Sequence, residues 1–261
     1  MAARATPIRW RDGVAGGSDR VLADEVPVAI VVNGATVAVL LATPGDLEDF
    51  AVGFALTEGL VASTADAGTV EVVHHADGIE ARLSVADTGA LAARRRTITG
   101  PSGCGLCGIE SLAAAVVPPR VVTAAGPRPT PMEIVAAVAA LGEAQPLGRA
   151  TRAVHGAALW RRGEPPIVRE DVGRHNALDK LAGAVARAGI ATSDAMLLLT
   201  SRVSVEMVQK ASALGCPLVV AVSAPTALAV ATARAAGLTL VAVARSDGFE
   251  VFAGGERIVW P

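Results

Sequence analysis

Two cysteines separated by two residues are the strongest chemical signal in the sequence. Cys104 and Cys107 lie in a segment that carries glycine at positions 100, 103, 105 and 108. A helix is expected to begin near residue 108, and its N-terminal amides would favour an anion close to the thiols. A thiolate is the nucleophile needed for disulfide exchange, metal ligation or sulfur transfer, so the pair is predicted to be reactive.

Other uses of a Cys-x-x-Cys pair fit the sequence less well. A structural zinc site needs two further ligands, and the third cysteine, Cys216, precedes Pro217 at a predicted strand start, where it is expected to be buried. A thioredoxin-like pair normally follows a strand directly, whereas this pair lies in a glycine-rich loop. A zinc deaminase would carry proline next to the first cysteine and an upstream His-x-Glu, and both are missing. The residues alone leave disulfide exchange, metal ligation and sulfur transfer open.

A second group of polar residues follows three predicted strands. Residues 200–204 include Arg202, residues 223–226 begin with Ser223, and residues 245–248 begin with Arg245. Carboxyl ends of strands are where open α/β sheets bind ligands, and hydroxyls with arginines at helix N-termini bind anions. Helix capping alone would explain the Ser and Thr residues, but the two arginines favour a phosphorylated ligand such as a nucleotide.

Residues 169–180 form a third group, which is rich in ionisable and amide side chains. His175 stands near a predicted helix N-terminus, which should resist its protonation and leave a neutral acceptor or base. For Asp179 and Lys180 an ion-paired first helical turn is the preferred interpretation. His155 opens a predicted strand and is expected to be structural.

The elements that must position these groups divide the chain into three parts. Residues 1–25 are expected to be a loose arm. Residues 26–128 are predicted to form an N-terminal α+β domain that ends in the Cys-x-x-Cys loop and its following helix. It begins with a hairpin around Asn33-Gly34, then a helix from an N-cap at Thr43-Pro44 to Gly59, and strands at 70–74 and 79–85.

Residues 129–261 are predicted to form an α/β cofactor-binding domain. A capping box at 130–133 opens its first helix, and a hairpin pairs 154–160 with 166–170. Helices at 174–188, 203–214 and 225–236 then alternate with strands at 195–200, 217–222 and 238–244. These strands are almost wholly apolar, which predicts a largely parallel sheet covered on both faces.

Composition excludes several classes of protein. The net charge of −2 gives no field for nucleic-acid binding, and no apolar run approaches the length of a membrane span. No apolar segment follows the N-terminal arginines, so no secretory signal is predicted. Three cysteines do not suit a disulfide framework, and a cytoplasmic protein is expected.

The motifs taken together resemble the FdhD family, the sulfur carriers that activate formate dehydrogenases. The resemblance extends over nearly the whole chain after the first twenty-odd residues. It rests on residues 43–48, 53–54 and 57–59, the Cys104/Cys107 loop, and residues 155–159, 170–180, 201–210 and 223–229. Each motif is weak alone, but their joint order is specific.

The resemblance implies a cytidine-deaminase-like three-layer α/β core beside the smaller N-terminal domain, assembled as a homodimer. It implies that Cys104 receives sulfur from a cysteine desulfurase as a persulfide, with Cys107 assisting or dispensable. The recipient is the bis-guanine-dinucleotide molybdenum cofactor of formate dehydrogenase, bound as a substrate, with no permanent metal in the carrier.

The family's cofactor segment aligns with Val243, Ala244, Arg245, Ser246, Asp247 and Gly248, although an aromatic residue often stands where this chain has Val243. With Arg202 and Ser223, these residues are the predicted cofactor ligands. The other functions considered are a cofactor chaperone without sulfur chemistry and a dithiol redox protein, and tungsten could replace molybdenum.

Overall fold

The computed structural model describes residues 2–86 and 118–261. Cys104, Cys107 and the predicted helix after residue 108 therefore lie outside the described residues. No helix in the described ranges is both long and apolar enough to cross a membrane.

The N-terminal segment is not the loose arm that its composition predicts. β1 (Ala2–Ala5) pairs with β4 (Arg20–Ala23), and β2 (Ile8–Arg11) pairs with β3 (Val14–Gly17), so one hairpin is nested inside another. Asp12 and Gly13 connect β2 to β3 with φ of 52° and 83°, the conformation that an Asp-Gly turn favours. This turn was not predicted from the sequence, because no long apolar period accompanies it.

A four-stranded sheet forms within residues 26–85. Its strands are β5 (Val26–Val32), β6 (Ala35–Ala42), β7 (Ala67–His74) and β8 (Ile79–Val85), in the order β6-β5-β8-β7. The predicted hairpin turn is confirmed, since Asn33 and Gly34 have φ of 48° and 76°. One helix, α1 (Leu47–Thr57), covers the sheet and buries Phe50 against it. A 3-10 turn at Thr64–Asp66 precedes β7.

The start of α1 differs from the prediction. The helix begins at Leu47, after Asp46 in a left-handed conformation, and no side chain within the described ranges caps it. Thr43 instead uses its backbone amide to donate to the Asp171 carboxylate at 2.9 Å, and its hydroxyl accepts from the Val172 amide. Thr43 therefore bonds to a residue that lies 128 positions away in the sequence, whereas a local capping rule considers only nearby residues.

The described residues from 131 to 257 form a second unit. Its elements are α2 (Pro131–Glu143), α3 (Pro146–Thr151), β9 (His155–Trp160), β10 (Ile167–Asp171), α4 (Arg174–Arg187), β11 (Met196–Leu199), α5 (Val205–Ala213), β12 (Leu218–Ala221), α6 (Ala227–Ala235), β13 (Thr239–Arg245), β14 (Gly248–Ala253) and a 3-10 turn at Gly255–Arg257. The predicted capping box is confirmed: the Glu133 amide donates to the Thr130 hydroxyl at 3.3 Å, and the Thr130 amide donates to the Glu133 carboxylate at 2.8 Å.

The sheet of this unit is mixed rather than largely parallel. Its order is β10-β9-β11-β12-β13-β14, and only β11–β12 and β12–β13 pair in parallel within the described sheet. β14 was not predicted from the sequence, and it returns antiparallel to β13 after a two-residue turn. Its residues are only half-buried, so they lack the continuous apolar run that marks the central strands.

Helices cover both faces of this sheet. On one face of the sheet, Leu197 and Leu199 pack with residues of α4, α5 and α6. On the other face, Met196 and Leu198 pack with residues of α2. This three-layer arrangement beside a smaller α+β unit is the fold class that the resemblance implied.

The two units meet where α1 crosses α4. A Cβ atom on Gly53 would lie 1.7 Å from the backbone oxygen of Asp179, and one on Gly183 would lie 1.9 Å from that of Asp49. Both glycines are needed for this close approach, because any side chain would separate the helices. The crossing places the C-terminal end of α1 beside α4 and α5.

Candidate functional site

The ends of β11, β12 and β13 form one edge of the six-stranded sheet, called here the carboxyl edge. Val203 bridges Pro225, and the Val243 amide donates to the Ser223 oxygen at 3.3 Å. These contacts bring the segments that carry Arg202 and Ser223 next to the end of β13. The predicted ligands therefore lie along one edge, and both Arg202 and Arg245 are exposed there.

The predicted cofactor segment, residues 243–248, contains the end of β13, a two-residue turn and the first residue of β14. Val243 has φ of 54° where the β13–β14 register shifts, between Ala242 and Arg245. A β-branched residue in the left-handed region costs about 1–3 kcal/mol, and such strain is concentrated at functional sites. The Arg245 guanidinium donates to the Val222 oxygen and, at 2.8 Å, to the Ala244 oxygen, which holds it against the strand ends.

Two histidines lie at the same edge, on the side of the sheet that α4 covers. His155 opens β9 opposite Asp171 of β10. Burial lowers the pKa of His155, and the positive charges of Arg174 and Arg202 lower it further against the opposing effect of Asp171.

The pKa of His175 is lowered more strongly than that of His155. Burial, followed by the charges of Lys210 and Arg174, lowers the pKa of His175 to about 3. The imidazole is therefore neutral near pH 7, as the sequence analysis expected. The main cause is burial, whereas the sequence analysis attributed the effect to the helix N-terminus.

Buried charges of α4 and α5 form a fully paired network with the first unit. Lys180 is inaccessible to solvent and lies 2.7 Å from the Asp171 carboxylate, and it donates to the Thr43 oxygen at 2.8 Å. Lys210 contacts Asp179 at 2.8 Å and Glu58 at 2.7 Å. We call Glu58, Asp171, Asp179, Lys180 and Lys210 the paired junction.

Burial raises the pKa of Asp179, against the opposing effect of the Lys210 charge beside it. Burial opposes the charge of Lys210, but the carboxylates of Asp179 and Glu58 outweigh burial and raise its pKa. The prediction of ion pairs at Asp179 and Lys180 is confirmed, but their partners come from other segments and not from the first turn of α4.

One helical turn from the Asp179–Lys210 contact, four buried polar side-chain atoms have no hydrogen-bond partner in the described part of the chain. They are Arg174 Nε, His175 Nε2, Ser204 Oγ and Glu206 Oε2. We call these four residues the unpaired cluster. A buried polar atom without a partner costs about 1–3 kcal/mol, so four of them at one edge require an explanation.

A pocket of about 530 Å³ opens at the carboxyl edge on the opposite face of the sheet, beside α3. Thr200 lines it together with Gln145, Arg149 and Arg152. The sequence analysis did not identify these arginines. Arg149 lies in the last turn of α3, and Arg152 follows the helix in a left-handed conformation with φ of 56°.

The third cysteine is buried, as predicted. Cys216 is inaccessible to solvent, and burial raises the pKa of its thiol to about 12. Its sulfur contacts the Ala195 oxygen at 3.3 Å. A thiol in this state is protonated at neutral pH and cannot act as a nucleophile.

Comparisons with known proteins identify the family. The profile of the FdhD/NarQ family matches residues 23–259. The chain is 51% identical to the sulfur carrier protein FdhD of Agrobacterium fabrum over 255 residues, which cover 95% of this chain and 93% of that protein. It is 49% identical to the sulfur carrier protein FdhD of Brucella abortus, over 93% of this chain and 91% of that protein.

A solved structure has the same fold. It comes from Desulfotalea psychrophila and was assigned provisionally as a formate dehydrogenase accessory protein. The similarity has a TM-score of 0.77 at 25% sequence identity and covers 99% of this chain and 100% of that one.

Proposed function

Because the chain belongs to the FdhD/NarQ family, we propose that it is a sulfurtransferase that carries sulfur on Cys104 for formate dehydrogenase. The single observation that carries the proposal is the match to sulfur carrier proteins over almost the whole chain, including the Cys-x-x-Cys segment. The buried state of Cys216 supports it, because a buried and protonated thiol cannot act as the carrier. Cys104 and Cys107 are the remaining cysteines.

The first half-reaction is a persulfide exchange. The Cys104 thiolate attacks the outer sulfur of a persulfide on a cysteine desulfurase. A new S–S bond forms on Cys104 while the donor's S–S bond breaks and the donor thiolate leaves. The exchange needs no external oxidant or reductant, because one sulfane sulfur passes between two thiols.

The second half-reaction delivers this sulfur to the metal of the bis-guanine-dinucleotide cofactor, which is the substrate. The sulfane sulfur takes two electrons from the reduced metal as it becomes a sulfide ligand, and the Cys104 thiolate is regenerated. A displaced water ligand leaves with its own electron pair. Molybdenum favours sulfur ligands because it is a soft metal.

The carboxyl edge fits a phosphorylated substrate. Arg202 and Arg245 are exposed there, with the hydroxyl of Ser223 between their strands. Arginine binds phosphate oxygens through two parallel hydrogen bonds, and open sheets bind ligands at this edge. We assign cofactor binding to Arg202, Ser223 and residues 243–248, in a cytoplasmic homodimer that serves formate dehydrogenase.

Intact-mass spectrometry tests the proposal. The protein is incubated with a cysteine desulfurase and cysteine, and one added sulfur is expected on the wild type and on Cys216→Ala. Cys104→Ala is expected to remain unmodified. Full persulfide formation on Cys104→Ala would contradict the assignment of the carrier.

Two other outcomes would identify a different function. Nucleotide binding without a persulfide would indicate a cofactor chaperone. A reversible Cys104–Cys107 disulfide, with neither a persulfide nor nucleotide affinity, would indicate a dithiol redox protein.

A further inference from the structure

The unpaired cluster lies between two parallel helices at the carboxyl edge. His175 precedes Asp179 by four residues on α4, and Glu206 precedes Lys210 by four residues on α5. Residues four apart share a helix face, so His175 and Glu206 lie one turn above Asp179 and Lys210. Asp179 and Lys210 are 2.8 Å apart, so His175 and Glu206 each lie one turn from a contact between the two helices.

The direction of both helices places these residues at the carboxyl edge. α4 leads into β11, α5 leaves it, and β12 runs parallel to β11, so each helix begins where the strands end. Ser204 directly precedes α5, and Arg174 opens α4. The four residues are only partly buried, so each is in part exposed to solvent at this edge although its unpartnered atom is buried.

The chemistry of the four atoms is mixed. Glu206 Oε2 is an acceptor and Arg174 Nε is a donor, while the Ser204 hydroxyl can be either. His175 is neutral because burial and the neighbouring charges of Lys210 and Arg174 lower its pKa to about 3, despite the opposing charge of Glu58. A neutral imidazole offers one donor and one acceptor.

This mixture disfavours a phosphate group, because the Glu206 carboxylate would repel it. It suits the edge of a neutral heterocycle that carries donors and acceptors side by side. The 2-amino-4-oxopyrimidine edge has this pattern: a ring N–H and an amino group can donate to one carboxylate, and the carbonyl can accept from a hydroxyl or guanidinium. Guanine and pterin rings share this edge.

We propose that Arg174, His175, Ser204 and Glu206 bind the 2-amino-4-oxopyrimidine edge of a guanine or pterin ring, with Glu206 as the acceptor for its N–H groups. The inference rests on the proposed function, since the substrate assigned there contains both rings. It divides the carboxyl edge into two parts: the arginines at the strand ends hold phosphates, and the unpaired cluster selects the ring.

Calorimetry with the full-length protein tests the ring preference. Guanosine diphosphate and inosine diphosphate differ only by the 2-amino group, so the wild type is expected to bind guanosine diphosphate about 10- to 100-fold more tightly, as a hydrogen bond to a charged group requires. Binding of neopterin, measured in the same way, tests whether the site accepts a pterin ring. This comparison needs no variant and remains informative if a substitution disturbs folding.

Glu206→Gln is the matched variant, because an amide keeps the shape but can accept only one of the two N–H groups. It is expected to lose the preference for guanosine diphosphate over inosine diphosphate. Glu71→Gln, the same change at an exposed position of β7, is expected to have no effect. If Glu206→Gln weakens neopterin binding instead, the pterin ring is the occupant, and the shared chemistry is still supported.

Equal affinity of the wild type for the two diphosphates, with neopterin binding unchanged by Glu206→Gln, would overturn the proposal and indicate that water alone fills the cluster. Absence of any binding of guanosine diphosphate and neopterin would overturn it as well. Sulfur loading of Cys104, measured separately by intact mass, distinguishes either failure from a failure of the proposed function.

Discussion

Two layers of polar residues lie one turn apart between α4 and α5, and they differ in how they are satisfied. In the paired junction, Lys210 contacts Asp179 and Glu58, and Lys180 contacts Asp171. In the unpaired cluster, His175 and Glu206 each keep a buried atom without a partner in residues 2–86 and 118–261. The same two helices therefore carry both a satisfied and an unsatisfied polar layer.

Because of this difference, we expect the paired junction to contribute to stability and the unpaired cluster to contribute to binding. The paired junction joins α1 of the first unit to α4 and α5 of the second, so its charges are satisfied across the boundary between units. The unpaired cluster is destabilising by about 1–3 kcal/mol per group, and a ligand that supplied the missing hydrogen bonds would remove this penalty. We infer that the lower layer maintains the fold and the upper layer binds substrate.

The largest effect is expected when the paired junction is broken. Lys180→Met would leave the Asp171 carboxyl group without its ion-pair partner in a solvent-inaccessible site, so the free energy of unfolding should fall by about 3–5 kcal/mol. Urea unfolding measures this change. Arg149→Met removes an exposed ion pair with Glu143 and should cost less than about 1 kcal/mol. Similar losses in the two variants would show that the junction is not a major source of stability.

The crossing of α1 and α4 should also be sensitive. Gly183→Ala puts a Cβ atom 1.9 Å from the Asp49 oxygen and should destabilise the protein by about 1–3 kcal/mol by forcing the helices apart. Gly142→Ala is the control, because no atom of the described part of the chain lies within 4 Å of its new Cβ. That change should leave stability unchanged or raise it by up to about 1 kcal/mol, since alanine favours a helix. An equal response of both variants in urea would contradict the close crossing.

The buried imidazole predicts a pH dependence. The pKa of His175 falls from 6.5 in the unfolded chain to about 3 in the folded state, so the unfolded chain binds the proton first. The stability difference between wild type and His175→Gln should therefore be constant above pH 6.5. As the pH falls toward 3, the wild type should lose stability relative to the variant, by at most about 1.4 kcal/mol per pH unit. If the free energy of unfolding depends on pH in the same way in the wild type and in His175→Gln, the folded state does not protect His175 from protonation.

The smallest change in stability is expected in the unpaired cluster. Glu206→Gln removes a charge whose buried oxygen has no partner among the residues that the structure describes, so the free energy of unfolding should change by less than about 1 kcal/mol. Glu170→Gln is the comparison, because the Glu170 carboxylate accepts from the Leu147 and Gly148 amides at 2.9 and 2.6 Å. That substitution should cost about 1 kcal/mol or more. A larger loss at Glu206 than at Glu170 would mean that the cluster supports the fold.

Local sequence rules predicted the elements whose causes are local. The Asn33-Gly34 turn and the Thr130–Glu133 capping box are confirmed because each depends on a few adjacent residues. The Thr43 cap was wrong, since its groups bond to Asp171 and Val172 instead. β14 was missed because its half-buried residues lack a continuous apolar run.

The candidate site was predicted only in part. The strand ends carrying Arg202 and Ser223 do lie along one edge, as the rule for open sheets requires. The importance of Ser204 and Glu206 could not be predicted, because the lack of a partner depends on how α4 and α5 pack. The reactivity of Cys104 and Cys107 remains a prediction, since both lie outside the described residues.

Thermal unfolding with and without guanosine diphosphate tests the division between the two layers most directly. A ligand that binds the folded state raises the melting temperature, so one assay measures basal stability and binding together. Glu206→Gln should keep the wild-type melting temperature without ligand and lose most of the ligand-induced increase, while Glu71→Gln should keep both. A full ligand-induced increase in Glu206→Gln with guanosine diphosphate and with neopterin alike, or a low melting temperature without ligand, would contradict the account.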